Sequence, residues 1–282
     1  MLRIVMDSAG DFPPEDLKAL QIDVIPVNVH FGERTFLDGV ELGREAFYRM
    51  VQEQKRAPTT SQPSPYQFTE FYRRIARPGD TILSVHVTSG LSGTFASCQA
   101  AARELRNTYR IVPFDSGGGS AQMGFMCMEA RLMERAGASL ERILERLRQI
   151  RSQTQIILTL DTLEFARMSG RVRALQAALA SVLRIKPVVE LRDGILELSG
   201  RVRTRKRALA HVVGRARERL GRLPLNLAVV HAMDMPAAQE LLALVRNQLT
   251  TRRLIVVDLS VSVAANLGPG TVGLAAYPAG EV

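Results

Sequence analysis

The stretch Thr81-Ile82-Leu83-Ser84-Val85-His86-Val87-Thr88-Ser89-Gly90-Leu91-Ser92-Gly93-Thr94 decides the fold class. Its apolar, partly β-branched first half reads as a strand over 81–87. A Thr/Ser/Gly turn stops that strand, and a helical pattern follows over Thr94–Arg106. The same unit recurs on both sides. Leu2–Met6 runs into Asp7-Ser8 ahead of a helix over Pro13–Leu20, and Arg110–Phe114 runs into Asp115-Ser116 ahead of a helix over Gly119–Ala136. Val24–Phe31 reads as another strand. Arg44–Gln54 and Pro65–Ala76, the latter behind the candidate cap Ser64, read as further helices. Strands alternating with helices predict a parallel α/β sheet with helices on both faces, a three-layer arrangement.

Gly137 and Ser139 separate that last helix from one over Leu140–Gln153, after which the pattern changes. Ile156–Leu160, Lys186–Leu191, Ile195–Leu198, Leu225–His231 and Leu254–Asp258 read as strands. Asp193-Gly194 is a hairpin turn signal and implies antiparallel pairing. Helices are expected over Ala174–Leu183, Thr204–Leu220 and Pro236–Gln248. The second half is thus expected to be a two-layer mixed sheet with helices, and the chain to divide into domains 1–153 and 154–282.

A chain of 282 residues, 46% hydrophobic and 23% charged, has ample material for a core. It contains no apolar run of about 18 residues, so no membrane-spanning helix is expected. The apolar run after Met1 ends at Asp7, too early for a secretory leader, and a cytoplasmic location is expected. Cys98 and Cys127 lack CxxC spacing and read as buried reduced thiols. His30, His86, His211 and His231 show no paired spacing and no GxxxxGK[ST] loop is present, so neither a metal nor a nucleotide cofactor is expected. The net charge of +9 is uneven. Residues 131–222 hold 21 Lys or Arg against 9 Asp or Glu, which leaves the rest of the chain at −3. Such a segment suits an acidic protein partner, a membrane surface or nucleic acid, and the scarcity of aromatics favours protein over nucleic acid.

In an open parallel sheet the carboxyl ends of the strands line one crevice, so the three hydroxyl-rich turns after 87, 6 and 114 are expected to face a common cleft. Glycines admit a ligand to the backbone there, and the helix from Thr94 points free N–H groups at it, which suits an anion. Any one such turn reads more readily as a helix cap than as a ligand contact, and the recurrence of three shifts the balance towards a ligand. Thr59-Thr60-Ser61-Gln62-Pro63-Ser64-Pro65 reads as a loop leading to an N-cap. Ser92, between strand and helix, also raises an acyl-ester hydrolase. However, Thr94 stands where the GxSxG pattern needs its second glycine, and His86 lies only six residues upstream.

Taken in order, Val5-Met6-Asp7-Ser8-Ala9-Gly10-Asp11, Thr60-Ser61-Gln62-Pro63-Ser64-Pro65, the 84–94 stretch and Phe114-Asp115-Ser116 resemble the DegV family of fatty-acid-binding proteins. So do Asp161-Thr162-Leu163-Glu164-Phe165, Ser169-Gly170-Arg171-Val172, Ile185-Lys186-Pro187, Val202-Arg203-Thr204 and Gly268-Pro269-Gly270. The resemblance covers essentially the whole chain. It implies a bacterial two-domain protein that encloses one long-chain fatty acid in a tunnel between the domains, with Thr60 and Ser92 binding the carboxylate and Ser61, Gly93 and Asn266 lining it. It further implies a non-catalytic subunit of a fatty-acid kinase, with Arg171 and Arg203 docking the ATP-binding partner and no cofactor beyond the bound lipid. Relatives usually carry His where this chain has Asn266, which donates hydrogen bonds but does not take up a proton.

Overall fold

The computed structural model describes residues 1–54, 57–173 and 185–280. Strands β1 (Leu2–Asp7), β2 (Ile22–Ile25), β6 (Thr81–His86) and β7 (Arg110–Asp115) form a parallel sheet in the order β2-β1-β6-β7. Successive side chains point to opposite faces, so Val5 and Ile82 pack on helices Pro65–Ile75 and Thr94–Glu104. Ile4, Met6, Leu83 and Val85 pack on helix Ala121–Arg135 through Met123, Phe125 and Cys127. This is the expected three-layer unit.

Seven strands form the mixed sheet of the second half. With β8 (Gln155–Thr159), β9 (Val172–Arg173), β10 (Lys186–Arg192), β11 (Ile195–Val202), β12 (Leu225–His231), β13 (Thr251–Asp258) and β14 (Val272–Pro278), the order is β13-β12-β14-β8-β10-β11-β9. The β10–β11 hairpin turns on Asp193 and Gly194, at φ 47° and 77°, the backbone that the Asp-Gly pair foretold. One face buries Ile157, Val188, Leu227 and Leu274 against helices Arg205–Leu220 and Met235–Gln248. The other packs Ile156, Leu158, Val230 and Tyr277 on helices Ala121–Arg135 and Leu140–Gln153. Tyr277 and Phe12 both meet the Phe125 ring at 5.5 Å. Helix Ala121–Arg135 is therefore shared by the two sheets.

Several expectations need correction. Val24–Phe31 is not one strand: Pro26 has no N–H to extend the ladder, so the chain leaves the parallel sheet after Ile25 and starts β3 (Asn28–Phe31) in another. That third sheet, absent from the sequence reading, pairs β3 with β4 (Arg34–Leu37) and with β5 (Thr59–Ser61), all antiparallel. The 59–65 stretch is thus a strand edge before it is a loop. Its Ser64 does cap the next helix, with Gln67 reciprocating in a capping box. Helices Glu164–Ser169 and Val261–Leu267, and strands β9 and β14, also went unread. The helix expected over Ala174–Leu183 lies outside the described residues. Both cysteines are buried and free. No described helix is long and apolar enough to cross a membrane.

Candidate functional site

A cavity of about 190 Å³ opens where the ends of β1 and β6 face the mixed sheet. Its apolar wall comes from both halves: Ala9 and Val87 follow strands of the parallel sheet, Ile156 and Leu158 lie on β8, and Leu191 and Leu196 on the β10–β11 hairpin. Val263 and Leu267 of helix Val261–Leu267 complete it.

Its polar wall is contiguous. Asn266 Nδ2 donates to Thr60 Oγ1 at 3.2 Å and to Ser262 O at 2.7 Å. Thr60 leads through Ser61 to Gln62, whose amide lies against Gly93, where an added Cβ would stand 2.8 Å from Gln62 Nε2. Ser92 is next to Gly93. Its Oγ accepts from Thr94 N at 3.2 Å and lies 2.8 Å from Thr94 Oγ1. Thr94 is fully buried, and its hydroxyl can donate to Ser92. Asn266 donates to Thr60, which therefore keeps its own hydroxyl proton for a ligand, and Ser92 keeps its proton when Thr94 Oγ1 is the donor of their pair. Ser61 Oγ is 2.8 Å from His30 Nε2.

Thr60, Ser61, Ser92, Gly93 and Asn266 line one cavity. Arg171 is half-buried and lines it too, together with an adjoining polar cleft bounded by Gly90, Leu91, Ser169, Gly170 and Ile195. Arg203 is exposed and lines neither. Sequence reasoning missed Gln62, Ser120 and Ser262 in the wall. Ser262 and Asn266 are four apart and share a helix face, a signal that required seeing the helix first.

His86 does not reach Ser92. It sits fully buried in a chain in which Asp7 Oδ2 is 3.0 Å from Nδ1, Nε2 is 2.8 Å from Ser84 Oγ, and Ser84 Oγ is 2.8 Å from Tyr72 Oη. Burial opposes the imidazolium, but Cys98 and the Asp7 carboxylate outweigh it and hold the His86 pKa up at about 9. Asp7 also accepts from Ala9 N and Val87 N, two cavity residues, so this chain supports the wall from beneath.

The basic segment is not one solvent face. Arg131 is buried and donates to Leu20 O at 2.8 Å and Gln21 O at 3.1 Å. Arg192, Arg215 and Arg219 converge on the buried Glu190, and Arg205 pairs with Asp234 at 2.6 Å. Among the described residues no cluster of His, Cys, Asp or Glu is arranged to hold a metal.

Comparison with known proteins places this architecture. A DegV domain-containing protein of Deinococcus radiodurans is 33% identical over 280 residues, covering 98% of each chain. The protein DegV of Bacillus subtilis is 31% identical over 233 residues, covering 82% of this chain and 83% of its own. Among solved structures, one described as fatty acid binding of a DegV family protein from Thermus thermophilus superposes with a TM-score of 0.89 at 31% identity, covering 98% of this chain and 99% of that one. That of DegV, a fatty acid binding protein from Bacillus subtilis, gives 0.85 at 27% identity and 98% of each. The DegV family model, described as "Uncharacterised protein, DegV family", matches residues 1–279, and the chain belongs to that family.

Proposed function

We propose that this protein binds one long-chain fatty acid in the cavity, divided between domains 1–153 and 154–282, with the carboxylate on Thr60 and Ser92 and with Ser61, Gly93 and Asn266 around it. The observation that carries the reading is the joining of an apolar wall to a contiguous polar wall that presents the Thr60 and Ser92 hydroxyls. Each CH2 removed from water contributes about 0.8 kcal/mol, so the chain supplies most of the affinity. A buried carboxylate needs donors, and neutral hydroxyls supply them without a fixed counter-charge. The relatives from Thermus thermophilus and Bacillus subtilis described as fatty-acid-binding support the ligand class. The hydrolase alternative at Ser92 loses ground, because His86 is committed to Ser84 and Asp7. Organic extraction of purified protein followed by mass analysis should recover about one fatty acid per chain. Finding no lipid and no uptake of added fatty acid refutes the reading.

The finer role we propose is that of a cytoplasmic, non-catalytic subunit that presents the carboxylate to an ATP-binding kinase partner for acyl-phosphate formation, without a cofactor of its own. Arg171, at the cleft that adjoins the cavity, and the exposed Arg203 are its docking residues. Arg203→Glu should slow acyl-phosphate formation while leaving fatty-acid affinity unchanged. Arg171→Glu, at a residue that also lines the cavity, should slow it by more than any loss of fatty-acid affinity accounts for, and added salt should slow the wild type towards the variants. Variants that keep the full phosphorylation rate would rule these residues out. Strongly salt-dependent retention on DNA would instead revive the nucleic-acid reading of 131–222.

A further inference from the structure

Helix Val261–Leu267 carries Ser262 and Asn266 into the cavity, yet at seven residues it is too short to hold itself in water. Two carboxylates from the other half of the chain fasten its first turn. Asp38 Oδ2 accepts from Ser262 N at 3.0 Å and from Ser8 Oγ at 2.8 Å, and Ser8 Oγ accepts in turn from Val27 N at 3.0 Å. Asp11 Oδ1 accepts from Ser260 N at 2.7 Å, while its Oδ2 accepts from Ser120 Oγ at 2.6 Å. Val27 and Ser120 line the same cavity. Each acid thus ties the helix to a different part of the wall.

Both acids are buried, 2% and 4% exposed. Their nearest cationic influence is Arg44, which spends its hydrogen bonds on the carbonyls of Asp258 and Leu259. Desolvation pushes Asp11 up to about 7 against its hydrogen bonds to Ser120 and Ser260, and it raises Asp38 as well. Burying two carboxylates is costly for a mere fastening. What they offer is acceptor oxygens with several lone pairs at a helix start, where negative charge is favoured.

We infer that Asp11 and Asp38 are positioning residues for the head-group site: they fix the helix that carries Asn266, and Asn266 orients the Thr60 hydroxyl. The inference rests on the fatty-acid reading above. A role limited to keeping the tunnel open would affect every ligand of the same chain alike. Positioning of the head group discriminates between a carboxylate and an alcohol.

Oleate and oleyl alcohol, which differ only in the head group, are titrated into the wild type, Asp11→Ala, Asp38→Ala, Asp11→Asn and Asp38→Asn. The Ala variants should lose roughly tenfold or more in oleate affinity while alcohol affinity changes less than about threefold. The Asn variants retain an acceptor oxygen and should stay near the wild type. Equal losses for both ligands, or unchanged oleate affinity in the Ala variants, overturn the inference. If the Ala variants do not fold, Asp11→Asn decides. Asp11 is faced by Ser120 and Ser260, and at longer range by Arg44 and Tyr48 of helix Arg44–Gln54, with Asp258 and His231 beyond. As it ionises, the wild-type preference for oleate over the alcohol should fall by about threefold between roughly pH 6 and 8, and the Asn variant should be flat. Identical profiles overturn the inference. A wild type that binds neither ligand refutes the fatty-acid reading and this inference with it.

Discussion

At the scale of the residue, burial raises the pKa of every carboxylate it desolvates, and the neighbours decide the net result. Asp11, desolvated and without a bonded cation, has its pKa raised from 3.8 to about 7. Its native form binds a proton more tightly than its unfolded form, so its contribution to stability is fully present below about pH 4 and is lost as pH rises towards 7. At Glu190 desolvation is outweighed by Arg215 and Arg192, and the pKa falls from 4.5 to about 2. Its contribution is present above pH 4.5 and is lost as pH falls towards 2. Chemical denaturation across this range should therefore show Asp11→Asn removing the decline between about pH 4 and 7. Glu190→Gln, which removes the shared partner of Arg192, Arg215 and Arg219 but leaves Arg215 its pair with Glu218, should cost about 1–3 kcal/mol at neutral pH and flatten the acid limb. The ligand residues are a separate matter. Thr60→Ala and Ser92→Ala each remove one donor to a charged group, so fatty-acid titration should show a loss of about 1.5–3 kcal/mol with folding intact. Unchanged affinity in both would put the head group elsewhere.

At the scale of the element, the hairpin β10–β11 and the turn after β6 touch backbone to backbone. An added Cβ on Gly90 would stand 2.6 Å from Gly194 O, and one on Gly194 would stand 2.4 Å from Thr88 Oγ1. Leu91 and Leu191, on the two sides of this contact, both line the cavity. Gly90→Ala should push the hairpin away, costing about 1–3 kcal/mol in stability and weakening fatty-acid binding, as thermal melts and titrations can show. Elements of this kind were legible where local chemistry dictates them. Asp193-Gly194 announces its turn, Ser64 its helix cap, and the apolar, β-branched runs of β1 and β6 their strands. Helix Val261–Leu267 was not, because Val-Ser-Val-Ala-Ala-Asn-Leu has little helical periodicity and depends on anchors hundreds of residues away. Nor was β5, since Thr59-Thr60-Ser61 is polar and becomes a strand only because β3 offers it a ladder. Thr60 and Ser92 could be named from matched motifs. The contact between Asn266 and Thr60, 206 residues apart, exists only in three dimensions.

At the scale of the whole molecule, one hydrophobic core runs from Ile4 and Leu83 through Phe125 to Ile156, Ala228 and Tyr277. The two halves share it through helix Ala121–Arg135, and the cavity beside it is lined from both halves. A ligand that binds only the native state adds about 2.7 kcal/mol at a hundred times its dissociation constant. Calorimetry should find a single transition, shifted upward by added oleate. Two separated transitions, with only one moved, would mean that the halves unfold independently.

The cavity between the sheets also makes molar volume a property to consider. Internal space that no atom fills is surrendered on unfolding, and hydrostatic pressure rewards that surrender. Delipidated protein should therefore unfold at lower pressure than protein loaded with oleate, with a larger volume decrease read by fluorescence or NMR in a pressure cell. A filled cavity resists compression, so the occupant of this site would serve as part of the packing of the protein that carries it.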